Sequence, residues 1–377
     1  MIFCFSLFIE IILIWRGIFP QKIKTVWKII AAILTTLIVF KFYVFRLSGA
    51  KMFAAPQLPP WILLTYTWLY AVLVFAALFL IVFDLSALII KLSARYRKKQ
   101  PPLFLSLPVW KLAVLIPAML LVSLGMYEGL KLPETVNYEI SFADLPDELD
   151  GFKIAHLSDI HADPFTRREK IRKIVSITNE QNADLIVITG DFVDGRTSIR
   201  GKDLEVLKDL KSRNGVFGVP GNHEYYSGYD EWVTFLRGCG ITMLENEHTL
   251  IADGNITLAG VTDPAANRIK KEQPDIQKAF AGSPENNFRI LLAHQPRLAY
   301  RAAKEGVDLQ LSGHTHGGMI RGMDFFVALF NRNLVSGTCD IDDMKLHISN
   351  GTGIWNGFPL RLGRNSEIVI ITLKKRP

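Results

Sequence analysis

Five short polar clusters occur in the second half of the chain, each directly after an apolar stretch. Every cluster contains Asp, Asn or His, whose side chains ligate metals in many proteins. The clusters are Asp159 with His161, Asp191 with Asp194, Asn222 with His223, His294, and His314 with His316. Because open α/β sheets place their ligands at the carboxyl ends of strands, we expect these clusters to converge on one site.

The stretch around Asp191 is the most informative of the five. Leu185 to Ile188 form a continuous apolar run, which is typical of a strand that is buried on both faces. The run ends in Gly190 and Asp191. A carboxylate bridges two cations well, imidazole suits Zn, Fe, Mn and Co, and an Asn carbonyl adds a neutral oxygen ligand. These residue types predict a metal site centred on Asp191.

Each cluster taken alone has a simpler explanation. A single Asp-x-His pair is usually exposed polar sequence, a lone His294 is more often a packed core residue, and Asn222 could cap a helix. The joint pattern is different, because five of the eight histidines fall at strand-end turns. The other three, His156, His248 and His347, do not. Chance placement of the whole set is improbable, so the pattern favours a functional site.

The elements that must position these clusters alternate between strand and helix and then become strand-rich. The predicted strands are residues 138–142, 152–157, 185–188, 215–219, 241–244, 250–252, 256–261, 288–293, 307–311, 344–348 and 367–373. The predicted helices are residues 167–182, 203–211, 231–239, 276–280 and 298–305. This order predicts an α/β fold with two packed mixed sheets flanked by helices.

The first 130 residues have a different composition. Hydrophobic residues make up 49% of the chain and the mean hydropathy is +0.22, an excess concentrated in four apolar segments. The segments are residues 2–15, 26–45, 61–90 and 111–130. A membrane span needs about 20 residues, so the first segment, which carries Glu10, is the weakest of the four. The alternative interpretation of this segment is a signal peptide, but the segment lacks the basic N-terminal region and the small-residue cleavage site of one.

The basic residues of the loops predict the orientation. Arg16, Lys22, Lys24 and Lys28 follow the first segment, and residues 91–111 contain six Lys or Arg; the loop after the second segment has only Arg46 and Lys51. By the positive-inside rule the first and third loops are cytoplasmic, so the second half of the chain lies outside the cytoplasm. The net charge of +7 is therefore attributed to membrane topology and not to nucleic-acid binding.

We divide the chain into a transmembrane helical region (1–130), a linker with the first strand (131–150) and a catalytic domain (151–377). The acids Glu10 and Asp84 lie near segment ends, and no chain of intramembrane charges suggests a transporter. The three cysteines predict no disulfide framework and no zinc motif; a single Cys239–Cys339 bridge stays open.

The five clusters, as they stand in sequence, resemble the five blocks of the calcineurin-like metallophosphoesterases. The blocks are Ser158-Asp-Ile-His161, Gly190-Asp-Phe-Val-Asp194, Gly221-Asn-His-Glu224, Ala293-His294 and Gly313-His-Thr-His316. The resemblance covers roughly residues 136–373. It is closer to the branch of transmembrane proteins with such a domain, through Leu149-Asp-Gly-Phe-Lys, Gly317-Gly318, Ser349-Asn-Gly-Thr-Gly353 and Pro359-Leu-Arg-Leu-Gly363.

This resemblance implies a four-layer αββα sandwich with a dinuclear centre of divalent Mn, Fe or Zn. The metal-ligand residues would be Asp159, His161 and His316 for one ion, Asn222, His294 and His314 for the other, and Asp191 for both. A hydroxide activated by the two metals would attack phosphorus. His223 would contact the phosphate or protonate the leaving oxygen, and Asp194 would orient a ligand or His223.

Two departures from the family pattern concern the substrate. Met319 stands where many relatives have Gln, and residues 324–330 are unusually apolar. We interpret 324–330 as a strand or helix packed in the core, in preference to a loop that meets lipid or holds an acyl chain.

The leading hypothesis is a membrane-anchored metal-dependent phosphoesterase that acts on a lipid-linked or membrane-proximal phosphate at the outer face of the cytoplasmic membrane. Some relatives are UDP-2,3-diacylglucosamine pyrophosphatases of lipid A synthesis, but that substrate is cytoplasmic and conflicts with the predicted topology. A non-catalytic sensor or binding module on the same fold is the alternative from another class. It is disfavoured because every predicted ligand position is filled.

Overall fold

The computed structural model describes residues 2–47 and 58–376. Residues 48–57, which include Lys51 of the loop after the second apolar segment, lie outside the described residues. The chain divides into two compact units, one that extends to Tyr127 and one that begins at Glu128.

The N-terminal unit is helical. Its α-helices are α1 (Ile2–Ile12), α2 (Thr25–Val39), α3 (Lys41–Leu47), α4 (Pro60–Tyr96), α5 (Val109–Leu112) and α6 (Leu115–Leu130), the last of which continues past Tyr127. Within the described ranges, Pro60–Tyr96 and Val109–Leu130 are long and apolar enough to cross a membrane. Helices α2 and α3 meet at 77° and add a third span if the bent pair counts as one. The predicted total of four stays a prediction, because α1 (11 residues) and the six π-helical residues Leu13–Ile18 that continue it reach only the lower end of the length that a span needs.

The two acids of the apolar segments have partners within this unit. Asp84 accepts a hydrogen bond from Arg16 at 2.6 Å between Nε and Oδ2, and Lys111 Nζ lies 3.7 Å from its other oxygen. Glu10 accepts a hydrogen bond from the Thr36 hydroxyl. Asp84 is therefore paired with two cations and Glu10 has a hydrogen-bond donor, as acids in an apolar helical unit require partners.

The second unit contains two six-stranded mixed sheets. Its strands are β1 (Glu134–Phe142), β2 (Lys153–Leu157), β3 (Leu185–Ile188), β4 (Val216–Gly218), β5 (Thr242–Met243), β6 (Glu247–Ile251), β7 (Ile256–Gly260), β8 (Phe288–Leu292), β9 (Leu309–Ser312), β10 (Gly337–Ile341), β11 (Met344–Ile348) and β12 (Glu367–Lys375). The first sheet has the order β1-β12-β2-β3-β4-β5 and the second β10-β11-β9-β8-β7-β6. The prediction of two mixed sheets is confirmed; edge strand β10 was not predicted.

Helices cover the outer faces of both sheets. They are α7 (Arg168–Glu180), α8 (Thr197–Leu204), α9 (Asn222–Ser227), α10 (Tyr229–Gly238), α11 (Ile276–Phe280), α12 (Ala299–Lys304) and α13 (Asp324–Phe330). Strand β3 shows why its run is continuously apolar: Leu185 and Val187 enter the core between the sheets, while Ile186 and Ile188 face α7, α8 and α10. A third core, which includes Leu291 of β8, lies between the second sheet and helices α11 and α12. The layers are thus helices, sheet, sheet, helices.

Helix α13 corrects one sequence interpretation. Residues 324–330 are helical, but the prediction that they pack in the core is wrong. Phe325, Phe326, Leu329 and Phe330 are all exposed. The sequence signal was misleading because an apolar composition alone does not say whether a face meets protein or another apolar phase.

Two of the histidines outside the clusters lie buried between the sheets. The rings of His156 and His347 are 5.8 Å apart. His156 Nε2 lies 2.8 Å from the Thr189 hydroxyl and His347 Nδ1 lies 2.9 Å from the Thr338 hydroxyl. Burial lowers the pKa of His347 to about 3, and burial together with His347 holds the pKa of His156 well below its usual value. Both imidazoles are neutral at neutral pH.

This pair predicts an acid-sensitive fold. A histidine of the unfolded chain takes up a proton near pH 6.5, whereas buried His347 does so only near pH 3. Stability therefore falls as pH drops below 6.5, by about 2 kcal/mol per histidine between pH 6.5 and 5. We expect His347→Phe to lose less stability over this interval than the wild type, as measured by thermal unfolding of the full chain in detergent at the two pH values. Equal losses in the two proteins would contradict this origin.

Candidate metal centre

The turns after five strands of the two sheets meet at one site. Asp159 and His161 follow β2, Asp191 and Asp194 follow β3, and Asn222 and His223 follow β4. His294 follows β8, and His314 and His316 follow β9. The structure brings all nine predicted site residues together. Eight of them have less than 9% of their surface exposed, while His314 is partly exposed. We describe the site as two groups of donor atoms and the carboxylate between them.

The first group consists of Asp159, His161 and His316. The two Nε2 atoms are 3.1 Å apart. Asp159 Oδ1 lies 3.8 Å from His161 Nε2 and 3.5 Å from His316 Nε2. Three potential ligands of different residues therefore face one small volume.

The second group consists of Asn222, His294 and His314. His294 Nε2 lies 3.2 Å from Asn222 Oδ1 and 3.3 Å from His314 Nδ1. His294 Nδ1 lies 2.7 Å from the Thr189 carbonyl oxygen, which orients the ring. An imidazole whose second nitrogen donates to a carbonyl is a common arrangement among metal-binding histidines.

Asp191 lies between the two groups. Its Oδ2 is 3.7 Å from His161 Nε2 in the first group and 3.3 Å from His294 Nε2 in the second. Its Oδ1 accepts the backbone N–H of His223 at 2.8 Å. One oxygen is thus fixed by the protein, while the other is within reach of both groups.

The donor set fits a pair of divalent cations. Ligand atoms that bind one ion at about 2.0–2.2 Å must lie roughly 3–4 Å from one another, which is the spacing found within each group. Burial, with a contribution from His294, lowers the pKa of His314 to about 4, so its imidazole is neutral and able to ligate. Burial opposes protonation of His294, but Asp191 outweighs it and raises that pKa well above its usual value. Cation binding at His294 must therefore displace a proton.

The backbone at the site is strained. Asp159, His161, Asp191, His314 and His316 all have φ between 47° and 71°. This left-handed conformation is rare for residues other than glycine, and at such sites it costs about 1–3 kcal/mol for each residue. Hydrogen bonds hold the strained turns together, from the Asp159 N–H to the Gly190 carbonyl and from the His161 N–H to the Asp191 carbonyl, both at 3.0 Å.

Gly221 shows why a glycine precedes Asn222. A Cβ atom at position 221 would lie 2.2 Å from Asp191 Oδ1 and 2.4 Å from the Asp191 backbone nitrogen. The backbone of this turn therefore approaches the central carboxylate more closely than a side chain would permit. That approach is what brings Asn222 and His223 to the site.

Glu224 holds two of the turns together, although no role was predicted for it. The buried carboxylate accepts N–H groups from Gly221 at 2.7 Å, Asp191 at 3.0 Å and Phe192 at 2.8 Å. The sequence signal for this role was the position of Glu224 in the first turn of α9, where a Glu side chain often caps the start of a helix. Glu224 thus links the start of α9 to the backbone of Asp191.

Arg361 supports the His316 turn from beneath. Its side chain is fully buried. It donates to the His316 carbonyl at 2.7 Å and to the Gly353 carbonyl at 2.9 Å. In the sequence, Arg361 was noticed only as part of the late motif Pro359-Leu-Arg-Leu-Gly363. The motif lies far from His316 along the chain, so the contact was not predicted.

His223 and Asp194 lie beside the two groups. Asp194 Oδ2 is 3.2 Å from His161 Nδ1, and its Oδ1 contacts His223 Nδ1. Asn356, which sequence analysis missed, donates to Asp194 Oδ2 at 2.9 Å. His161, Asp194 and His223 form a third cluster of potential ligands. Because Asp194 contacts Nδ1 of both His161 and His223, it orients the two rings. The Nε2 atom of each ring is then directed away from Asp194.

The charge state of His223 is set by these carboxylates. Burial alone lowers the pKa of His223, but Asp191 and Asp194 outweigh it and raise the pKa to about 9. Burial likewise opposes ionisation of Asp194, but His223 and His161 hold its pKa well below the usual range. The pair is therefore an imidazolium beside a carboxylate at neutral pH.

The site opens into a cleft of about 230 Å³, which is lined by five of the predicted site residues and by three unpredicted side chains. The unpredicted residues are Tyr226, Arg268 and Trp355. The Arg268 guanidinium lies 4.9 Å from the centre of the Tyr226 ring, within cation–π range. The cleft thus presents a cation and aromatic surfaces to a ligand that reaches His223.

The chain has relatives among known proteins. Residues 152–318 match the family described as calcineurin-like phosphoesterase. A Danio rerio protein named "Transmembrane protein with metallophosphoesterase domain" is 32% identical over 370 residues, 94% of this chain and 82% of that protein. An uncharacterized metallophosphoesterase of Aquifex aeolicus (strain VF5) is 33% identical over 67% of this chain and 97% of that protein. Among solved structures, the calcineurin-like phosphoesterase YfkN from Bacillus subtilis matches with a TM-score of 0.35 and 17% identity, over 54% of this chain and 82% of that chain.

The position of Asp191 predicts the metal content of variants. Because one oxygen reaches both groups, Asp191→Asn should weaken binding of both ions by more than about tenfold. His314→Ala should weaken only one ion. Mass spectrometric metal analysis of the purified full chain, dialysed against a metal buffer, measures this. His347→Phe is the matched control and should retain both ions; loss of a single ion in Asp191→Asn would contradict a shared position.

Proposed function

The chain belongs to the calcineurin-like metallophosphoesterases, a family of hydrolases of phosphoester bonds, and we propose that it acts on a lipid-linked or membrane-proximal substrate while anchored in a membrane. The membership follows from the Danio rerio relative and the family match. One observation carries the proposed chemistry: Asp191 Oδ2 lies within 4 Å of a histidine of each donor group. The bond is a phosphate ester or a pyrophosphate.

In this proposal the two donor groups and Asp191 hold two divalent ions. Asp159, His161 and His316 hold one ion, Asn222, His294 and His314 hold the other, and Asp191 contacts both. Mn, Fe and Zn suit this mixture of carboxylate, imidazole and amide ligands. When bound, such a pair supplies Lewis-acid polarisation of the phosphoryl oxygens and a hydroxide nucleophile at neutral pH.

His223 is the proposed general acid. Its Nδ1 contacts Asp194, which leaves Nε2, 3.8 Å from Asp191 Oδ2, as the nitrogen available to a ligand in the cleft that His223 lines. The raised pKa keeps a proton on the ring at neutral pH. Transfer of that proton to the leaving oxygen avoids the departure of an alkoxide, an effect typically worth about 10²–10⁴ in rate. Asp194 holds the ring in the donating orientation.

The N-terminal helices are the proposed anchor. Two of them, or three with the bent pair, are apolar and long enough to span, and α1 is the proposed fourth span. Residues 1–130 then form the membrane region, 131–150 the linker and first strand, and 151–377 the catalytic domain. The basic loops support a multi-pass placement in the cytoplasmic membrane with the catalytic domain outside the cytoplasm. Anchoring concentrates the site near lipid phosphates, which is why a lipid-linked substrate is proposed.

The role of His223 predicts a dependence on the leaving group. We expect His223→Gln to slow hydrolysis of bis-phenyl phosphate by about 10²–10⁴, since phenolate is a poor leaving group. The same change should slow bis-p-nitrophenyl phosphate much less, because nitrophenolate departs without a proton. Steady-state rates with Mn²⁺ measure both. Asp191→Asn is the control that lowers both rates together, and a His223→Gln loss that is equal on the two esters would rule out the acid role.

The orientation predicts the behaviour of reporter fusions. Alkaline phosphatase joined after residue 377 should be active, because it folds only outside the cytoplasm. A fluorescent protein that matures only in the cytoplasm should stay dark at the same position. The opposite pattern would place the site in the cytoplasm and direct the substrate search to nucleotide-linked lipids such as UDP-2,3-diacylglucosamine.

A further inference from the structure

Helix α13 presents an unusual apolar face. Phe325, Phe326, Leu329 and Phe330 are 53%, 48%, 72% and 63% exposed. Positions i, i+1, i+4 and i+5 lie on one side of an α-helix, so the four side chains form one continuous patch. The rings of Phe325 and Phe326 are in contact, with centroids 3.9 Å apart.

The rest of the catalytic unit does not resemble this patch. Among the described residues from Glu128 onward, the other exposed large hydrophobic side chains are scattered along the chain: Leu132, Ile199, Leu250, Ile269 and Tyr300. Single exposed apolar residues are ordinary, whereas a contiguous group marks a surface that meets another apolar phase. The α13 patch is therefore a candidate contact surface.

Cations lie at both ends of the patch. Arg321 precedes α13 and Arg332 follows it, and both are exposed. The one acid of the helix, Asp324, is paired with Arg364 at 2.7 Å. An apolar face flanked by arginines is the arrangement of helices that lie in the interface of an anionic bilayer.

The patch is held against the metal-binding turn. A Cβ atom on Gly318, two residues after His316, would lie 2.4 Å from Asp324 Cβ, so the start of α13 packs directly on that turn. After α13 in the chain, the carbonyl of Val335 accepts a hydrogen bond from the hydroxyl of Thr315 at 2.6 Å. The helix that carries the patch is thus attached at its start, and through the segment after it, to the turn of His314 and His316.

We propose that the α13 patch inserts into the leaflet of the membrane in which the chain is anchored, and so presents the phosphate groups of bilayer lipids to the metal centre. The inference rests on the proposed function, because it needs the anchor and the phosphoesterase site. The α13 patch would be the surface that makes the enzyme prefer lipid substrates to soluble phosphate esters. The occupant is an anionic lipid leaflet.

The size of the patch favours a bilayer over a protein. The exposed parts of four such side chains amount to roughly 400–500 Å², whereas a stable protein interface buries about 800 Å² on each partner. Insertion into lipid has no such minimum, since each apolar group that leaves water contributes separately. An anchored chain also keeps α13 near a bilayer at all times.

Fluorescence of the full chain in vesicles tests insertion without any assay of activity. Phe330→Cys, in a background with the three native cysteines replaced by Ser, carries an environment-sensitive dye in phosphatidylethanolamine–phosphatidylglycerol vesicles that contain spin-labelled lipid. We expect a blue shift and quenching at position 330. Leu250→Cys, an exposed apolar residue outside the patch, is the matched control and should show neither.

Three outcomes of the fluorescence test would overturn the proposal. The first is the absence of quenching at position 330. The second is equal quenching at positions 250 and 330, because the contact would not be specific to α13. The third is efficient disulfide cross-linking of two chains through position 330 without quenching, because a second copy would be the occupant.

Activity measurements separate this proposal from the proposed function. Replacing Phe325, Phe326, Leu329 and Phe330 by Ser should lower hydrolysis of phosphatidylglycerol in vesicles by about tenfold or more. Hydrolysis of soluble bis-p-nitrophenyl phosphate should be unchanged. An equal loss on both substrates would contradict a lipid-presenting role. Quenching at position 330 of the labelled Phe330→Cys protein, together with a wild-type protein that cleaves neither substrate, would instead reject the proposed function and leave the insertion standing.

Discussion

The carboxylate of Asp191 is held at the end of a buried strand, with one oxygen bonded to the protein and the other between two groups of histidines. Glu224 binds the backbone of this residue, and the N–H of His223 binds its Oδ1. The two sheets and four other strand-end turns are arranged so that their ligands arrive around its free oxygen. Removing this carboxylate would take away the oxygen that lies within 4 Å of a histidine of each group.

This arrangement is costly without bound cations. Asp159, Asp191 and Asp194 are nearly or fully buried, and isolated buried carboxylates are strongly disfavoured unless charge and hydrogen bonds compensate them. Five strained backbone positions add to that cost. Histidines and backbone N–H groups provide part of the compensation. Two divalent ions, as proposed, would provide the remainder of the charge compensation.

The parts of the site that were predictable follow a strand directly. An apolar run in the sequence shows where a buried strand ends, and parallel neighbouring strands bring their carboxyl ends together. For this reason the sequence was sufficient to identify Asp159, His161, Asp191 and Asn222. Glu224, Asn356 and Arg361 were not assigned roles, since they act through hydrogen bonds to turns that are distant in sequence. The left-handed backbone of the ligand residues was also invisible, because only glycine signals that conformation by its identity.

The same limits apply to the fold. The two mixed sheets followed from the alternation of elements, whereas edge strand β10 was missed because Ile341 is its only large apolar residue and its only buried one. Span number was uncertain where segments are short or bent, as in α1 and the α2–α3 pair. For α13, the sequence showed that the segment is apolar but not that its apolar face is exposed, because a sequence does not distinguish a core face from an exposed one.

Electron paramagnetic resonance of the Mn²⁺-loaded full chain tests the shared role of Asp191 most directly. Two ions that share the Asp191 carboxylate should give the spectrum of an exchange-coupled pair, and Asp191→Asn should abolish the coupling. A fully loaded wild-type protein that gives only the spectrum of isolated Mn²⁺, or an Asp191→Asn protein whose coupling is unchanged, would contradict the account.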